Sequence, residues 1–221
     1  MLLPLTILLT GLIFELMLLL TFIVAIVVNF VGYTPLGNIN LTTIQISINK
    51  GLKQALIFVT TFSIIEGIFT YVLMRFAQWF ASKKELLHWL DWVIVVVLII
   101  MGIISLNQAK KEVMPTGGDV RKRDSIKTGI ILGVFNPMII PYWMIGGTYL
   151  ISNQWITTEG LGLEIFAVGA AIGCFLSLYL FARFAQYIQN RFSFSSNMIN
   201  KSIAGVFFAL AALQIGKEVF L

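Results

Sequence analysis

The sequence predicts an all-α integral membrane protein with six transmembrane helices, arranged as two inverted three-helix repeats. Three observations carry this prediction. Of the 221 residues 58% are hydrophobic and 11% are charged, whereas soluble domains carry about 25% charged residues. Six long apolar segments follow one another along the chain. The first and the fourth of them are each broken at a proline, Pro35 and Pro137.

Each apolar segment reaches or approaches the roughly 20 residues that a helix needs to cross a bilayer. The segments cover about 5–31, 54–80, 89–106, 125–150, 161–188 and 199–216. The basic stretch between the third and the fourth divides them three and three. We therefore expect a first repeat over 1–107, a linker over 108–124 and a second repeat over 125–221. The first segment lacks the basic start and the small-residue cleavage site of a signal peptide, so we interpret it as a retained helix.

The two halves carry the same short patterns in the same order. The motif Tyr-x-x-x-Arg-Phe-Ala-Gln ends the second segment at 71–78 and recurs in the fifth at 179–186. Lys-Glu-Val follows the third segment at 111–113 and the sixth at 217–219. A duplicated unit with an odd number of crossings must face opposite ways in its two copies. Many secondary transporters have this plan, with the substrate site at the midplane between the halves.

The basic residues predict the orientation of the chain. If the linker is cytoplasmic, eleven Lys and Arg residues lie on that side and four on the other. Cytoplasmic loops are enriched in these residues. Both termini are then expected outside the cell.

The two broken segments contain the candidate substrate site. Unpaired backbone groups are tolerated within a membrane only inside protein or beside a watery cavity. A helix that restarts after a proline points its positive N-terminus into the break, where it suits an anion such as a carboxylate. Thr34 and Asn136 directly precede prolines and are predicted to cap the following helices. The candidate substrate-binding residues are Thr34, Pro35, Gly37, Asn38, Asn40, Asn136 and Pro137. Proline kinks without a site are the alternative interpretation.

Two carboxylates inside apolar segments are candidates for proton coupling. Glu66 lies near the middle of the second segment and Glu15 lies nearer an end of the first. A charge at mid-membrane costs about 2.5–3.5 kcal/mol on insertion scales, so such a group normally faces the protein interior and serves a function. The alternatives are a protonated structural carboxyl at Glu66 and an interfacial side chain at Glu15.

Other side chains are assigned to packing. Tyr142 and Trp143 follow the second break and are interpreted as packing residues that can also wall the site. Gly169 and Gly173 are spaced to bring two membrane helices close together.

Several classes of function are disfavoured by the residues present. The chain has one cysteine, Cys174, and one histidine, His88. A disulfide or dithiol centre therefore cannot form within the chain. No nucleophile–base constellation, phosphate loop or metal-ligand cluster stands out, so we predict no enzyme activity, cofactor or metal site. The net charge of +5 lies mostly in loops and is interpreted as a topology signal, not as a nucleic-acid surface.

With these features in place, the sequence resembles the LysE-type (LysE/RhtB) amino-acid exporters. The resemblance is carried by Pro35 and Gly37, by Gly51-Leu52-Lys53-Gln54-Ala55, and by Phe135-Asn136-Pro137. The usual Pro-Gly-Pro turn of the family reads Pro35-Leu36-Gly37-Asn38 here, and its usual Gly-Asp reads Glu66-Gly67. The resemblance implies a multi-pass protein of a bacterial plasma membrane that exports an amino acid or a related metabolite, driven by a proton or the membrane potential.

The sequence leaves some alternatives open. A divalent-metal exporter of related architecture is the second hypothesis, although it requires several hard oxygen ligands and only Glu15 and Glu66 lie deep in the apolar segments. The expected partners are a small-molecule substrate and the lipid bilayer, and a homodimer remains open.

Overall fold

The computed structural model of the chain describes residues 3–34, 37–82, 124–136 and 138–185, with isolated positions within 92–107, at 187 and within 201–216. The described ranges contain six helices and no strand, which confirms the all-α prediction for this part of the chain. The helices are α1 (Leu3–Gly32), α2 (Asn38–Lys50), α3 (Leu52–Ala81), α4 (Ser125–Val134), α5 (Ile139–Ser152) and α6 (Gly162–Arg183). Pro35, Pro137, residues 108–123 and most of the third and sixth predicted segments lie outside the described residues.

Three helices in this part of the chain are long and apolar enough to cross a membrane, namely α1, α3 and α6. A fourth crossing results if α4 and α5, which meet at a bend of 58°, count as one broken span. The predicted total of six crossings remains a prediction, because the third and sixth segments are described only at isolated positions. Two of these positions are in contact, since Gly102 packs directly against the ring of Phe208.

Contacts at the helix ends fix the relative directions of the helices. At one end, here called the lower end, the start of α4 meets the start of α3, where Ser125 Oγ donates to Gln54 Oε1 at 2.9 Å. The end of α2 meets the end of α6 there as well, through the hydroxyl of Ser47. At the opposite, upper end, Arg75 of α3 pairs with Glu164 of α6 at 2.9 Å. Therefore α3 and the α4–α5 pair run upward, whereas α6 and the α1–α2 pair run downward.

The buried apolar side chains form two clusters, one above the other. The lower cluster joins α2, α3 and α6, and its members include Ile46, Phe58, Phe62, Cys174 and Leu178. The upper cluster joins α1, α3, α5 and α6, and its members include Ala25, Met74, Trp143, Leu163 and Phe166. The interior is therefore divided into two apolar layers along the length of α3.

Glycine is required at a turn and at a helix contact in this arrangement. Gly51 has φ of 84° between α2 and α3, a backbone conformation that glycine adopts without strain. On α6, Gly169 and Gly173 lie directly against the backbone of α1, at Phe22 and Ile26. The predicted close packing at these two glycines is confirmed, and α1 packs more extensively against α6 than against any other described helix.

Adding one methyl group at Gly173 is expected to destabilise the protein. A Cβ atom there would overlap the carbonyl oxygen of Ile26, and a backbone atom cannot move aside as a flexible side chain can. Overpacking of this kind typically costs about 1–3 kcal/mol. We expect Gly173→Ala to lower the melting temperature of the purified protein. Gly146→Ala is the matched control because a Cβ at Gly146 meets no atom within 4 Å. Equal melting temperatures for the two variants would contradict the tight contact.

Candidate functional site

The two interruptions in the helices meet inside the protein. α1 ends at Gly32 and α2 begins at Asn38, while α4 ends at Val134 and α5 begins at Ile139. Asn136, between α4 and α5, directs its Nδ2 to the hydroxyl of Tyr33, between α1 and α2, at 3.4 Å. This contact joins residues 103 positions apart. The two halves of the chain therefore touch where their helices are interrupted.

Glu66 lies beside this contact. It stands on α3, 14 residues or about 21 Å beyond the start of that helix, and it is only 1% exposed. The Tyr33 hydroxyl and the Trp143 indole N–H face its carboxyl group. Tyr33 packs with the lower apolar cluster and Trp143 belongs to the upper one. The carboxyl group thus lies between the two apolar layers, halfway along α3.

Several buried polar atoms in this region have no hydrogen-bond partner among the described residues. They are Asn29 Oδ1, Glu66 Oε2, Thr70 Oγ1 and Trp143 Nε1. Nearly all buried polar groups in proteins are hydrogen-bonded, because leaving one unpaired costs about 1–3 kcal/mol. Asn29 on α1 and Tyr33, the residue that follows Gly32, lie one helical turn apart. Glu66 and Thr70 are likewise one turn apart on α3. We call Asn29, Tyr33, Glu66, Thr70, Asn136 and Trp143 the polar layer.

Hydrogen bonds from other elements hold the interruption after α1. Here the Tyr142 hydroxyl donates to Val28 O at 2.8 Å, and Asn40 Nδ2 donates to Tyr33 O at 2.6 Å. The same amide accepts a bond from Gly37 N at 3.3 Å. Tyr142, which the sequence assigned to packing, therefore connects the second half of the chain to the end of α1.

The structure places the predicted substrate-binding residues in different surroundings. Asn136 reaches the polar layer through Tyr33, and its Oδ1 accepts a hydrogen bond from Met138 N at 3.3 Å, at the start of α5. Thr34, Gly37 and Asn38 are exposed in the first interruption. Asn40 is 2% exposed and bonds to the local backbone. Pro35 and Pro137 lie outside the described residues, so their role in the breaks stays a prediction.

The predicted cap at Thr34 is wrong. Its Oγ1 donates back to Phe30 O at 3.0 Å, within the turn that ends α1. Gly37 takes the N-cap position of α2, and the side chain that bonds there is that of Asn40, whose Oδ1 accepts from Gly37 N. A threonine next to a helix end has two nearby options, the preceding carbonyl and the following N–H, and here its hydroxyl bonds to the carbonyl.

Glu15, the second carboxylate predicted for proton coupling, is not brought together with Glu66. It lies on an exposed face of α1. Eighteen residues, or about 27 Å along a helix, separate it from Tyr33. Phe14 beside it contacts Gly160 in the loop before α6. The two carboxylates therefore lie at different heights in the protein.

Sequence reasoning missed three members of the polar layer, Asn29, Tyr33 and Thr70. One signal was available for Asn29, because an amide inside a long apolar segment is expensive unless it serves a purpose. Its Nδ2 donates to Ala170 O on α6 at 2.7 Å. The Arg75–Glu164 pair at the upper end was missed as well. No local sequence pattern predicts this ion pair, because the two residues are 89 positions apart.

Comparisons with known proteins place these observations in a family. The sequence profile of the LysE type translocators matches residues 30–218. This range begins at the end of α1 and contains every member of the polar layer except Asn29. Comparison with proteins of curated function and with solved structures gave no match.

Proposed function

The chain belongs to the LysE type translocator family, a family of membrane transporters for amino acids or related compounds, and from that premise we propose that it exports one such compound through the polar layer. In this proposal the cycle is alternating access, and efflux is coupled to a proton taken up by Glu66. The observation that carries it is a buried carboxylate beside the contact between two interrupted helices.

The helix directions support a site that fits a zwitterion. α2 and α5 both begin at the interruptions, so their positive N-terminal ends lie near the polar layer and suit a carboxylate. Glu66 supplies the opposite charge and suits an ammonium group. An α-amino acid carries both groups on one carbon atom. The substrate class and the two charge preferences of the site are therefore complementary.

Competition for Glu66 provides the coupling in this mechanism. Glu66 can hold either the ammonium group of the substrate or a proton, and not both at once. Release of the substrate on the outer side then accompanies proton uptake there, and substrate binding on the inner side accompanies proton release. The unpaired Asn29 Oδ1 and Thr70 Oγ1 offer further hydrogen bonds to the bound substrate.

The two apolar clusters are suited to act as gates. The lower cluster separates the polar layer from one end of the protein and the upper cluster separates it from the other. Alternating access requires that only one of them opens at a time. We further propose that the complete chain has six crossings in two inverted repeats, over 1–107 and 125–221. The directions of the four described crossings agree with that plan.

A divalent-metal exporter fits these side chains less well. Hard cations take six or more oxygen ligands, usually with several carboxylates among them. Across the described residues, no three His, Cys, Asp or Glu side chains are grouped to hold a metal ion. The polar groups that face the Glu66 carboxyl group are the Tyr33 hydroxyl and the Trp143 indole N–H.

A transport assay with both substrate classes tests the proposal. Proteoliposomes containing the full chain are loaded with a mixture of amino acids or with Mn²⁺ and Zn²⁺, and an inward proton gradient is imposed. We expect at least one amino acid to leave faster than from protein-free vesicles, and collapse of the gradient to slow that efflux. Release of the metal ions alone would overturn the amino-acid proposal in favour of the metal exporter.

A further inference from the structure

An apolar groove runs along the outside of the bundle between α3 and α6. Its volume is about 580 Å³. The apolar side chains that line it include Ile64, Ile68, Val168, Ile172 and Phe175. Ile64, Ile68 and Val168 are each 56% exposed, so the groove opens away from the protein interior. It is separate from the polar layer, which lies on the inner side of α3.

Small residues at the helix crossing produce the groove. Gly67 of α3 faces Ala171 of α6, and a Cβ at Gly67 would lie 2.9 Å from the Ala171 side chain. The two helices therefore touch at the floor, and no large side chain fills the space above it. Along α3 the groove extends from Thr60 to Tyr71, about 17 Å by the helical rise. This length is similar to that of an acyl chain, which fills one leaflet with a hydrocarbon thickness of about 15 Å.

The upper end of the groove is charged, with both signs present. Tyr71 and Glu164 line it there, and Glu164 pairs with Arg75 at 2.9 Å. Arg75 also donates to the Tyr71 hydroxyl through Nε and Nη2 at 3.2 and 3.0 Å. The side chain of Glu164 is 37% exposed, and the guanidinium group of Arg75 has additional N–H donors on Nη1. An acceptor for an ammonium group and a donor for a phosphate group thus lie side by side.

We propose that this groove binds one phosphatidylethanolamine molecule, with an acyl chain against α3 and α6 and the headgroup on the Arg75–Glu164 pair. The chain length, the apolar lining and the order of charges match this lipid. Its primary ammonium donates hydrogen bonds to Glu164, which the trimethylammonium of phosphatidylcholine cannot do. Its phosphate accepts from Arg75. Phosphatidylglycerol has a phosphate but no cation, so it offers no charged donor to the Glu164 carboxylate.

Native mass spectrometry of the purified full chain tests the proposal. The probe is an equimolar mixture of dioleoyl phosphatidylethanolamine and dioleoyl phosphatidylcholine in detergent micelles, so that the acyl chains are identical. We expect one retained lipid per monomer, with a preference for phosphatidylethanolamine of about threefold or more, the size expected for a partly exposed charge contact.

Two variants and one control distinguish the contribution of the headgroup contact from that of the groove. Glu164→Gln removes the anion and is expected to bring the preference to about one while a lipid is still retained. Val168→Trp fills the groove and is expected to abolish retention of both lipids. Glu159→Gln neutralises an exposed carboxylate just before α6 and should keep the wild-type preference.

Other outcomes overturn the proposal. Equal retention of the two lipids by the wild-type protein would do so, as would an unchanged preference in Glu164→Gln or an equal loss in Glu159→Gln. A lipid-free dimer would assign the groove to a second copy of the chain. If Val168→Trp does not fold, the comparison of Glu164→Gln with Glu159→Gln still decides. None of these measurements depends on transport, so the result stands apart from that of the transport assay.

Discussion

Glu66→Gln is expected to abolish proton-driven efflux while exchange of internal for external substrate continues. Glutamine keeps the shape of the side chain and its hydrogen-bonding capacity, but it cannot take up or release a proton. The carboxyl group is buried between Tyr33 and Trp143, so no other described carboxylate is near enough to replace it. We expect the rate of proton-driven efflux to fall by roughly tenfold or more, a change of at least 1.4 kcal/mol in the barrier.

The measurement compares two assays on the same proteoliposomes. Net efflux under an inward proton gradient requires a full proton cycle. Exchange of labelled for unlabelled substrate at equal pH requires none, and we expect it to continue at a reduced rate, because glutamine still presents an oxygen to the substrate ammonium but no charge. Loss of both activities in a folded protein would assign Glu66 to substrate binding alone.

Glu15→Gln is the matched control for this experiment. It makes the same chemical change on an exposed face of α1, well above the polar layer. We expect the variant to keep proton-driven efflux. Full efflux with unchanged pH dependence in Glu66→Gln, together with loss in Glu15→Gln, would move the coupling role to Glu15.

Asn136→Leu is expected to abolish both efflux and exchange. The substitution removes the acceptor for Met138 N and the donor to the Tyr33 hydroxyl. It therefore leaves an unpaired N–H at the start of α5 and separates the two interruptions. An unpaired backbone group costs about 1–3 kcal/mol, which we expect to lower the yield of folded protein without eliminating it.

Transport per folded molecule is the quantity to measure for Asn136→Leu. Yield is determined by size-exclusion chromatography, and efflux and exchange are scaled to it. Asn153→Leu is the control, because Asn153 also bonds a helix end, at Tyr149 O, but lies exposed at the upper end of α5. Normal exchange per folded molecule in Asn136→Leu would show that the contact between the interruptions is not needed for the cycle.

The sequence predicted the main elements of the described fold because its signals are local. Apolar runs of sufficient length, and the motif repeated at 71–78 and 179–186, are visible without any tertiary information. The same holds for Glu66, which is conspicuous as a charge within an apolar run. The interruption after Gly32 was also placed correctly to within a few residues.

The parts that could not be predicted depend on contacts between distant residues. Tyr33 joins the site only because Asn136, 103 positions later, reaches it. The Tyr142 hydroxyl donates a hydrogen bond to Val28 O, 114 positions earlier in the chain. Thr34 shows the opposite limitation, since two local hydrogen bonds compete and the sequence does not rank them. The spacing of residues along one helix predicts which face of the helix a residue occupies. It does not predict which other helix packs against that face.

The packing of α1 against α6 has a consequence for how the protein is made. Asn29 donates to Ala170 O, 141 residues later in the chain. Thr21 Oγ1 accepts from Thr157 N, 136 residues later. A ribosome adds about 5–20 residues per second, so α1 waits on the order of 10 s in the membrane before either partner is synthesised. During that interval the Asn29 amide has no α6 to pair with, and an unpaired amide in hydrocarbon is strongly unfavourable. We therefore expect the Asn29 amide to pair with water or with other protein groups until the fifth predicted segment emerges.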